Sequence, residues 1–186
     1  KNPRAREKTI LFIGRLVPEK GVQVLLESFS RLCLDDKDLR LLIAGAGPYE
    51  GRLKALAADL GLAGRVEFLG FIDEQQRNSL LKQADVAVFP SLYEPFGIVA
   101  LEAMAAQVPV VVSDTGGLSE VVTHGIDGYK VAPGRPDILA YYIQEILANP
   151  GLAGDLARQA WKKVLTVYDW TNIALETLEV YSKIIS

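Results

Sequence analysis

Ser91-Leu-Tyr-Glu-Pro-Phe-Gly-Ile-Val-Ala-Leu-Glu-Ala-Met-Ala105 follows an apolar segment, residues 85–89, and is the stretch that decides the fold. The pattern predicts a short strand, a turn that carries Glu94, and a helix that begins near Gly97. Glu102 lies inside this helix with apolar residues on all sides, so we expect its carboxylate to be largely buried. An unpaired buried charge is costly. Glu102 therefore indicates either a bound polar ligand or a core ion pair with an arginine.

Short apolar strands alternate with helical patterns along most of the chain. This alternation predicts an α/β fold with a Rossmann-like, doubly wound, parallel six-stranded sheet, helices on both faces and a C-terminal helical tail. The predicted strands are residues 9–13, 39–44, 66–69, 86–89, 108–112 and 129–131. The predicted helices are residues 21–32, 50–60, 74–83, 97–106 and 118–124, then 137–148, 152–167 and a last helix after Trp170. Asp73 precedes the third of these helices and Gln76 follows Asp73 by three positions, which is the spacing of a capping box.

The composition limits the possible classes of function. The 186 residues are 49% hydrophobic and 23% charged, with a net charge of −3, which suits one soluble α/β domain and gives no footprint for nucleic acid. The apolar runs are too short for a transmembrane helix. One Cys and one His cannot form an ordinary zinc site, and the single thiol fits a reducing, cytoplasmic location. We expect residues 1–8 to be the remnant of a linker and residues 9–186 to form one domain.

Polar and glycine-rich turns follow every predicted strand except the last. In open parallel sheets, ligands bind outside the carboxyl ends of the strands, so these turns should form one site at one edge of the sheet. The candidate residues that they contribute are Gly14, Arg15, Gly45, Gly47, Gly70, Phe71, Ile72, Ser91, Glu94, Gly116 and Gly117.

The cations and amides at this edge suit a diphosphate. The guanidinium of Arg15 can grip two phosphate oxygens, and the ammonium of Lys20 acts as a point charge. The helix that begins near Gly97 points its free amides toward an anion, and Gly116-Gly117 offers a second amide-lined turn. The alternative for the two cations is an ordinary solvated surface position. Glu102 would hold hydroxyl groups, and Glu94 lies in the preceding loop, where it would reach a group beyond the phosphates.

Two further signals are weaker. Gly45-Ala-Gly47-Pro-Tyr-Glu-Gly51 resembles a dinucleotide fingerprint with one extra residue, but the expected ribose-binding acid is missing because Glu67 falls within a strand. His124 lies at a helix end before a glycine turn. It could act as a general base, although a cap or surface position is more typical of such a residue.

These residues together resemble a known family. Gly14-Arg15-Leu16 with Lys20-Gly21, Glu94-Pro95-Phe96-Gly97 with Glu102-Ala103-Met104-Ala105, and Gly116-Gly117-Leu-Ser-Glu120 are similar to the C-terminal domain of GT-B retaining glycosyltransferases. The resemblance is to family GT4, the group 1 glycosyl transferases, which includes glycogen and sucrose synthases. It covers nearly the whole chain.

The resemblance implies roles for the candidate residues. Arg15, Lys20 and Glu94 would be catalytic, with the cations on the departing diphosphate and with Glu94 and the amides around Phe96-Gly97 at the donor sugar. Ser91 and Ile98 would also belong to the binding site of the nucleotide sugar. Glu102 would hold the ribose, the base would lie near residues 70–72, and residues 45–47 would line the floor. No metal would be obligatory.

The resemblance also implies what the whole enzyme does. The donor would be a UDP-, ADP- or GDP-hexose, used in carbohydrate biosynthesis. The acceptor would be a sugar, glycan or lipid bound by a missing N-terminal domain, and any association with the inner membrane surface would come from that domain. The final segment, residues 168–186, would brace it. We expect the isolated chain to have little transferase activity. The alternatives are a non-catalytic nucleotide-binding or interaction module and an NAD-dependent oxidoreductase domain.

Overall fold

The computed structural model describes residues 7–185 and contains a parallel sheet of six strands in the order β3-β2-β1-β4-β5-β6. The strands are β1 (Lys8–Ile13), β2 (Leu39–Ala44), β3 (Val66–Gly70), β4 (Val86–Phe89), β5 (Val110–Ser113) and β6 (Tyr129–Val131). The helices are α1 (Val22–Asp35), α2 (Glu50–Asp59), α3 (Glu74–Gln83), α4 (Ile98–Ala105), α5 (Gly116–Val121), α6 (Pro136–Ala148), α7 (Pro150–Val167) and α8 (Trp170–Ile185).

Both faces of the sheet are buried, as the continuous apolar strands predict. Ile10 and Phe12 of β1 point into a core with α1, α2 and α6, whereas Leu11 points into a second core with α3, α4 and α5. Helices therefore cover both faces, and the doubly wound α/β fold predicted from the sequence is confirmed. The order of the strands places the ends of β1 and β4 side by side at the centre of the sheet.

Some predicted boundaries were wrong, and each shift has a local cause. β5 begins at Val110 instead of Val108, because the Val108 amide donates to the Ala103 carbonyl and so closes the turn after α4. α5 begins at Gly116 instead of Leu118. Gly116 and Gly117 are consequently the first residues of a helix and not a turn before one.

The ends of the chain differ in what the structure describes. Residues 1–6 of the predicted linker lie outside the described residues, and β1 already includes Lys8. α8 packs along α7 and exposes apolar side chains, including those of Leu175, Leu178 and Tyr181. Within residues 7–185, no helix combines the length and apolar character that a membrane crossing requires.

Candidate functional site

The turns at the carboxyl edge of the sheet are bonded to one another through their backbones. The turn after β1 is joined to the turn after β2 and to the turn after β4, which in turn is joined to the start of α5. These hydrogen bonds run from Leu16 N to Ala46 O (3.0 Å), from Leu92 N to Glu19 O (2.7 Å) and from Gly117 N to Glu94 O (2.9 Å). The predicted turns thus form one connected edge, in which each loop fixes the position of the next.

Glycines allow these loops to approach so closely. A Cβ atom on Gly45 would lie 1.8 Å from the Gly14 carbonyl oxygen, and one on Gly116 would lie 2.1 Å from the Glu94 carbonyl oxygen. Both glycines also have a positive φ, 141° and 47°. No side chain fits in either place. At these two positions glycine is required by loop–loop packing.

A cleft lies across the ends of β1, β2 and β3. Its walls include Phe71 and Ile72, which were predicted to lie near the base. Two arginines also line it, the predicted Arg15 and Arg77 of α3. The lining residues are Ile13, Gly14, Arg15, Ala44, Gly45, Ala46, Phe71, Ile72, Asp73, Glu74 and Arg77. The Phe71 ring is 85% exposed at the rim. The sequence therefore brings Gly14, Arg15, Gly45, Phe71 and Ile72 together as predicted.

Lys20 and Glu94 form an ion pair where the ends of β1 and β4 meet. The Lys20 ammonium donates to Glu94 Oε2, and both side chains are mostly buried, with exposures of 20% and 15%. The hydroxyl of Ser91, itself buried, lies 3.3 Å from the same oxygen. Sequence reasoning predicted both charged residues at this edge but gave them separate tasks. The structure adds that each neutralises the other in the free chain.

Glu102 occupies a different environment from the one predicted. Its side chain is 31% exposed and pairs with Arg77 of α3, with 2.9 Å between Glu102 Oε1 and Arg77 Nη1. The expectation of a largely buried carboxylate was wrong because α4 buries only one side, through Ala100, Ala103 and Met104. The apolar neighbour Ile98 is 62% exposed. An apolar sequence around Glu102 therefore does not mean a buried helix.

Arg77 is the functional candidate that sequence reasoning missed. Its position in the sequence could have indicated a role, because it follows the helix cap Asp73 by four residues and the segment predicted to contact the base directly precedes that cap. Asp73 and Gln76 form the predicted capping box, with the Gln76 amide 2.8 Å from Asp73 Oδ1. This cap fixes where α3 begins. It thereby places Arg77 one turn into the helix, beside the cleft.

The donors available to an anion differ from those predicted. Arg15 is exposed and makes no ion pair with any residue in the described part of the chain. No side chain caps the start of α4, where Gly97 has φ 79°. The Gly117 amide, in contrast, donates to the Glu94 carbonyl, so the expectation of an open amide-lined turn at Gly116-Gly117 was wrong for Gly117. The edge thus offers an unpaired guanidinium and the uncapped start of a helix.

The loop after β5 carries a second polar cluster. Asp114 Oδ1 accepts from the Ser119 hydroxyl at 2.6 Å and lies 3.2 Å from the Lys130 ammonium. These hydrogen bonds, the one from Ser119 first, hold the pKa of the Asp114 carboxyl below its ordinary value. The cluster fastens α5 to β6. Among the described residues, no group of three or more His, Cys, Asp or Glu side chains could hold a metal ion.

The two weaker sequence signals have structural explanations. A Cβ atom on Gly51 would meet nothing within 4 Å, so this glycine does not serve the close helix–strand packing that the dinucleotide fingerprint requires. Glu67 pairs with Arg40 at 2.7 Å on an exposed part of β3. His124 lies beyond the C-terminal end of α5, where it accepts from the Lys130 amide at 3.0 Å and its ring packs against the rings of Tyr129 and Tyr142. Its position agrees with a local structural role.

The chain is similar to known glycosyltransferases over nearly its whole length. It matches the model of the family described as glycosyl transferases group 1 over residues 1–163. An uncharacterized glycosyltransferase of Methanocaldococcus jannaschii is 45% identical over 175 residues, which are 94% of this chain and 45% of that protein. The chain therefore spans about half the length of this relative.

Solved structures show the same fold. Sucrose-phosphate synthase from Thermosynechococcus elongatus superimposes with a TM-score of 0.88 at 34% identity, over 99% of this chain and 47% of that one. Anabaena HepE, solved in complex with UDP and glucose, gives a TM-score of 0.87 at 27% identity, over 95% and 48% of the two chains. The fold is thus the Rossmann-like half of a GT-B glycosyltransferase, and the chain belongs to the glycosyl transferases group 1 family.

Proposed function

We propose that this chain is the C-terminal, donor-binding domain of a retaining glycosyltransferase. The enzyme transfers a hexosyl group from a nucleotide-diphosphate sugar to an acceptor hydroxyl. The observation that carries the proposal is the convergence of Arg15, the Lys20–Glu94 pair and the uncapped start of α4 at one edge of the sheet. A diphosphate needs several donors and positive charges within a few ångströms, and a sugar beyond it needs acceptors.

The charges support a division of labour within the site. Arg15 and Lys20 bind the two phosphates and stabilise the negative charge that develops as the diphosphate leaves. Lys20 must then move from Glu94 toward the phosphates. Glu94, released from its cation, accepts hydrogen bonds from the hydroxyls of the donor sugar, while Ser91 and the backbone of Phe96-Gly97 border the same place. The base lies in the cleft beside Phe71 and Ile72.

The transfer exchanges one glycosidic bond for another. The bond between the anomeric carbon and the diphosphate oxygen breaks, and a bond to the acceptor oxygen forms on the same face of the sugar. A diphosphate oxygen takes the proton of the acceptor hydroxyl. The protein cations supply the electrostatic assistance in this scheme, and no metal is obligatory.

The acceptor, a sugar, glycan or lipid, is bound by a second domain in this proposal. The chain spans about half of its relatives, and the exposed apolar side chains of α8 suit a segment that braces such a domain. The isolated chain should accordingly bind a donor weakly and transfer little. We place the enzyme in the cytoplasm, with any contact to the inner membrane surface made by the other domain.

A calorimetric panel tests the donor-binding proposal. UDP, ADP, GDP and their glucose derivatives are titrated against the chain, with uridine, adenosine, guanosine and NADH as further ligands. At least one nucleoside diphosphate should bind more tightly than its nucleoside, and NADH should not bind. If none of the diphosphates binds better than its nucleoside, the chain is a module without a donor site, the alternative class of function. Preferred binding of NADH would favour an oxidoreductase domain.

The Arg15→Ala variant tests the assignment of the phosphates. Loss of a charge-assisted hydrogen bond is worth about 1.5–3 kcal/mol, so the affinity for the diphosphate should fall roughly 10- to 100-fold. The affinity for the nucleoside should change less than about twofold by the same reasoning, since it lacks the charged partner. Arg158→Ala is the matched control, because Arg158 pairs with Asp155 on the exposed side of α7. Equal weakening of both ligands by Arg15→Ala would contradict the assignment.

A further inference from the structure

Arg77 lies between the cleft and Glu102, the second glutamate of the stretch from Glu94 to Glu102, which we call the glutamate motif. It lines the cleft together with Arg15 and Phe71, and its guanidinium bonds to Glu102 at 2.9 Å. The pair joins α3 to α4, two helices that otherwise hold neighbouring parts of the site. Oε1 of Glu102 faces Arg77, and because the side chain is 31% exposed the carboxylate is not closed off from solvent.

The hydrogen bonds of the Arg77–Glu102 pair are incomplete in the free chain. Arg77 Nε is buried and has no hydrogen-bond partner among the described residues. A buried donor without an acceptor is rare and costs stability, so such a group in a folded chain calls for an explanation. The guanidinium thus holds one oxygen of Glu102 in place, although Nε is left without a hydrogen bond. Such a compromise is expected where a ligand completes the arrangement.

We propose that Arg77 is a positioning residue for recognition of the ribose. It fixes the Glu102 carboxylate so that the remaining oxygen accepts a hydrogen bond from a ribose hydroxyl of the bound nucleotide. This inference rests on the proposed function, since it assumes that the chain binds a nucleotide with Glu102 at the ribose. It goes further in making the selectivity for ribose depend on α3, an element outside the glutamate motif and outside the phosphate turns.

The prediction concerns a ratio of affinities and not a single affinity. The probes are UDP and 2′,3′-dideoxy-UDP, or the adenine or guanine pair if that base binds more tightly in the panel above. A hydrogen bond to a charged acceptor discriminates by roughly 10-fold or more, so the native chain should prefer the ribose form by about that factor. Arg77→Met should lower the preference to about threefold or less, because a carboxylate free to rotate is a poorer acceptor.

Further variants separate positioning from general stability. Arg77→Lys retains the positive charge and should restore part of the preference for ribose. In a Glu102→Gln background, Arg77→Met should leave the remaining ratio unchanged, because the residue through which Arg77 acts has already been altered. Arg158→Met is the matched control, because it also removes an arginine from an ion pair, on the exposed side of α7. It should alter neither the affinity for UDP nor the affinity for the dideoxy form. Thermal melting of each variant shows whether it is folded at the temperature of the titration.

Two results would overturn the proposal, and they are distinguishable. If the native chain prefers the ribose form and Arg77→Met keeps that preference, or strengthens it, then Arg77 does not position Glu102 for the ribose, although nucleotide binding stands. If the native chain binds the ribose and dideoxy forms equally, or binds no nucleotide, then the assignment of Glu102 or the proposed function itself fails, and the inference fails with it.

Discussion

Gly116→Ala tests the close packing of the loops at the edge of the sheet. Gly116 has φ 47°, and an added Cβ would lie 2.1 Å from the Glu94 carbonyl oxygen. The contact must lengthen by about 1 Å before it stops being repulsive. The adjacent hydrogen bond from Gly117 N to Glu94 O, 2.9 Å in the native chain, cannot survive a shift of that size.

The magnitude follows from these parts. A left-handed backbone costs a residue with a Cβ about 1–2 kcal/mol. The lost hydrogen bond adds about 1 kcal/mol, and replacing glycine returns about 0.5–1 kcal/mol through the entropy of the unfolded chain. The free energy of unfolding should thus fall by about 2 kcal/mol, which in a chain of this size lowers the melting temperature by roughly 4–8 °C.

Calorimetric melting measures the effect, and Gly154→Ala is the matched control. Gly154 lies on the exposed side of α7, where a Cβ would meet nothing within 4 Å and φ is ordinary. Alanine there should raise the melting temperature by about 1–4 °C, because it is the better helix former. A Gly116→Ala variant that melts within about 1 °C of the native chain would refute the reasoning that this glycine is required by loop–loop packing.

Two further predictions concern charges in the same region. Lys20→Met should lower the free energy of unfolding in urea by about 2 kcal/mol, because it leaves a mostly buried Glu94 without its cation. Adding Glu94→Gln to this variant should recover about half of the loss. Strictly additive losses would show that the two residues are not coupled. Ser119→Ala should raise the pKa of Asp114 toward its ordinary 3.8, as followed by NMR titration. Since that pKa is lowered in the folded chain, the stabilisation by Asp114 is present above pH 3.8 and lost as the pH falls through the folded pKa, so the variant should be less sensitive to acid. An unchanged pKa would contradict the role of Ser119.

The strands and the edge of the sheet could be predicted because they depend on local patterns. Apolar runs of strand length mark β1, β2 and β4, and the capping box at Asp73 marks the start of α3. Once the sheet is parallel, all turns that follow strands must meet at one edge. This is why Arg15, Phe71 and Glu94, which are far apart in sequence, could be assigned to one region without a structure.

The pairing of charges could not be predicted because it depends on rotation and distance between elements. Nothing local to Lys20 selects Glu94 as its partner, 74 residues away. Arg77 meets Glu102 only because α3 and α4 lie on the same face of the sheet. The burial of Glu102 was overestimated for a related reason. The sequence shows that its neighbours are apolar, but the packing of α4 decides which of them are buried.

The two glutamates of the motif have the same arrangement in the free chain. Each is neutralised by a cation from a neighbouring segment: Glu94 by Lys20 and Glu102 by Arg77. Arg15 is the cation of the cleft without such a partner in the described chain. In the proposed function a diphosphate therefore meets Arg15 first, whereas binding to Lys20 requires that Lys20 exchange Glu94 for phosphate.

That exchange links the two ends of the donor in the proposed function. Glu94 is mostly buried, so losing Lys20 without gaining other donors would be costly. The hydroxyls of a bound sugar supply those donors, and the sugar thereby helps the diphosphate to capture Lys20. Arg77 has no such exchange to make, because Glu102 can keep it while accepting from a ribose through its other oxygen. In the proposed function, the Lys20–Glu94 pair must therefore separate when the donor binds, whereas the Arg77–Glu102 pair stays intact.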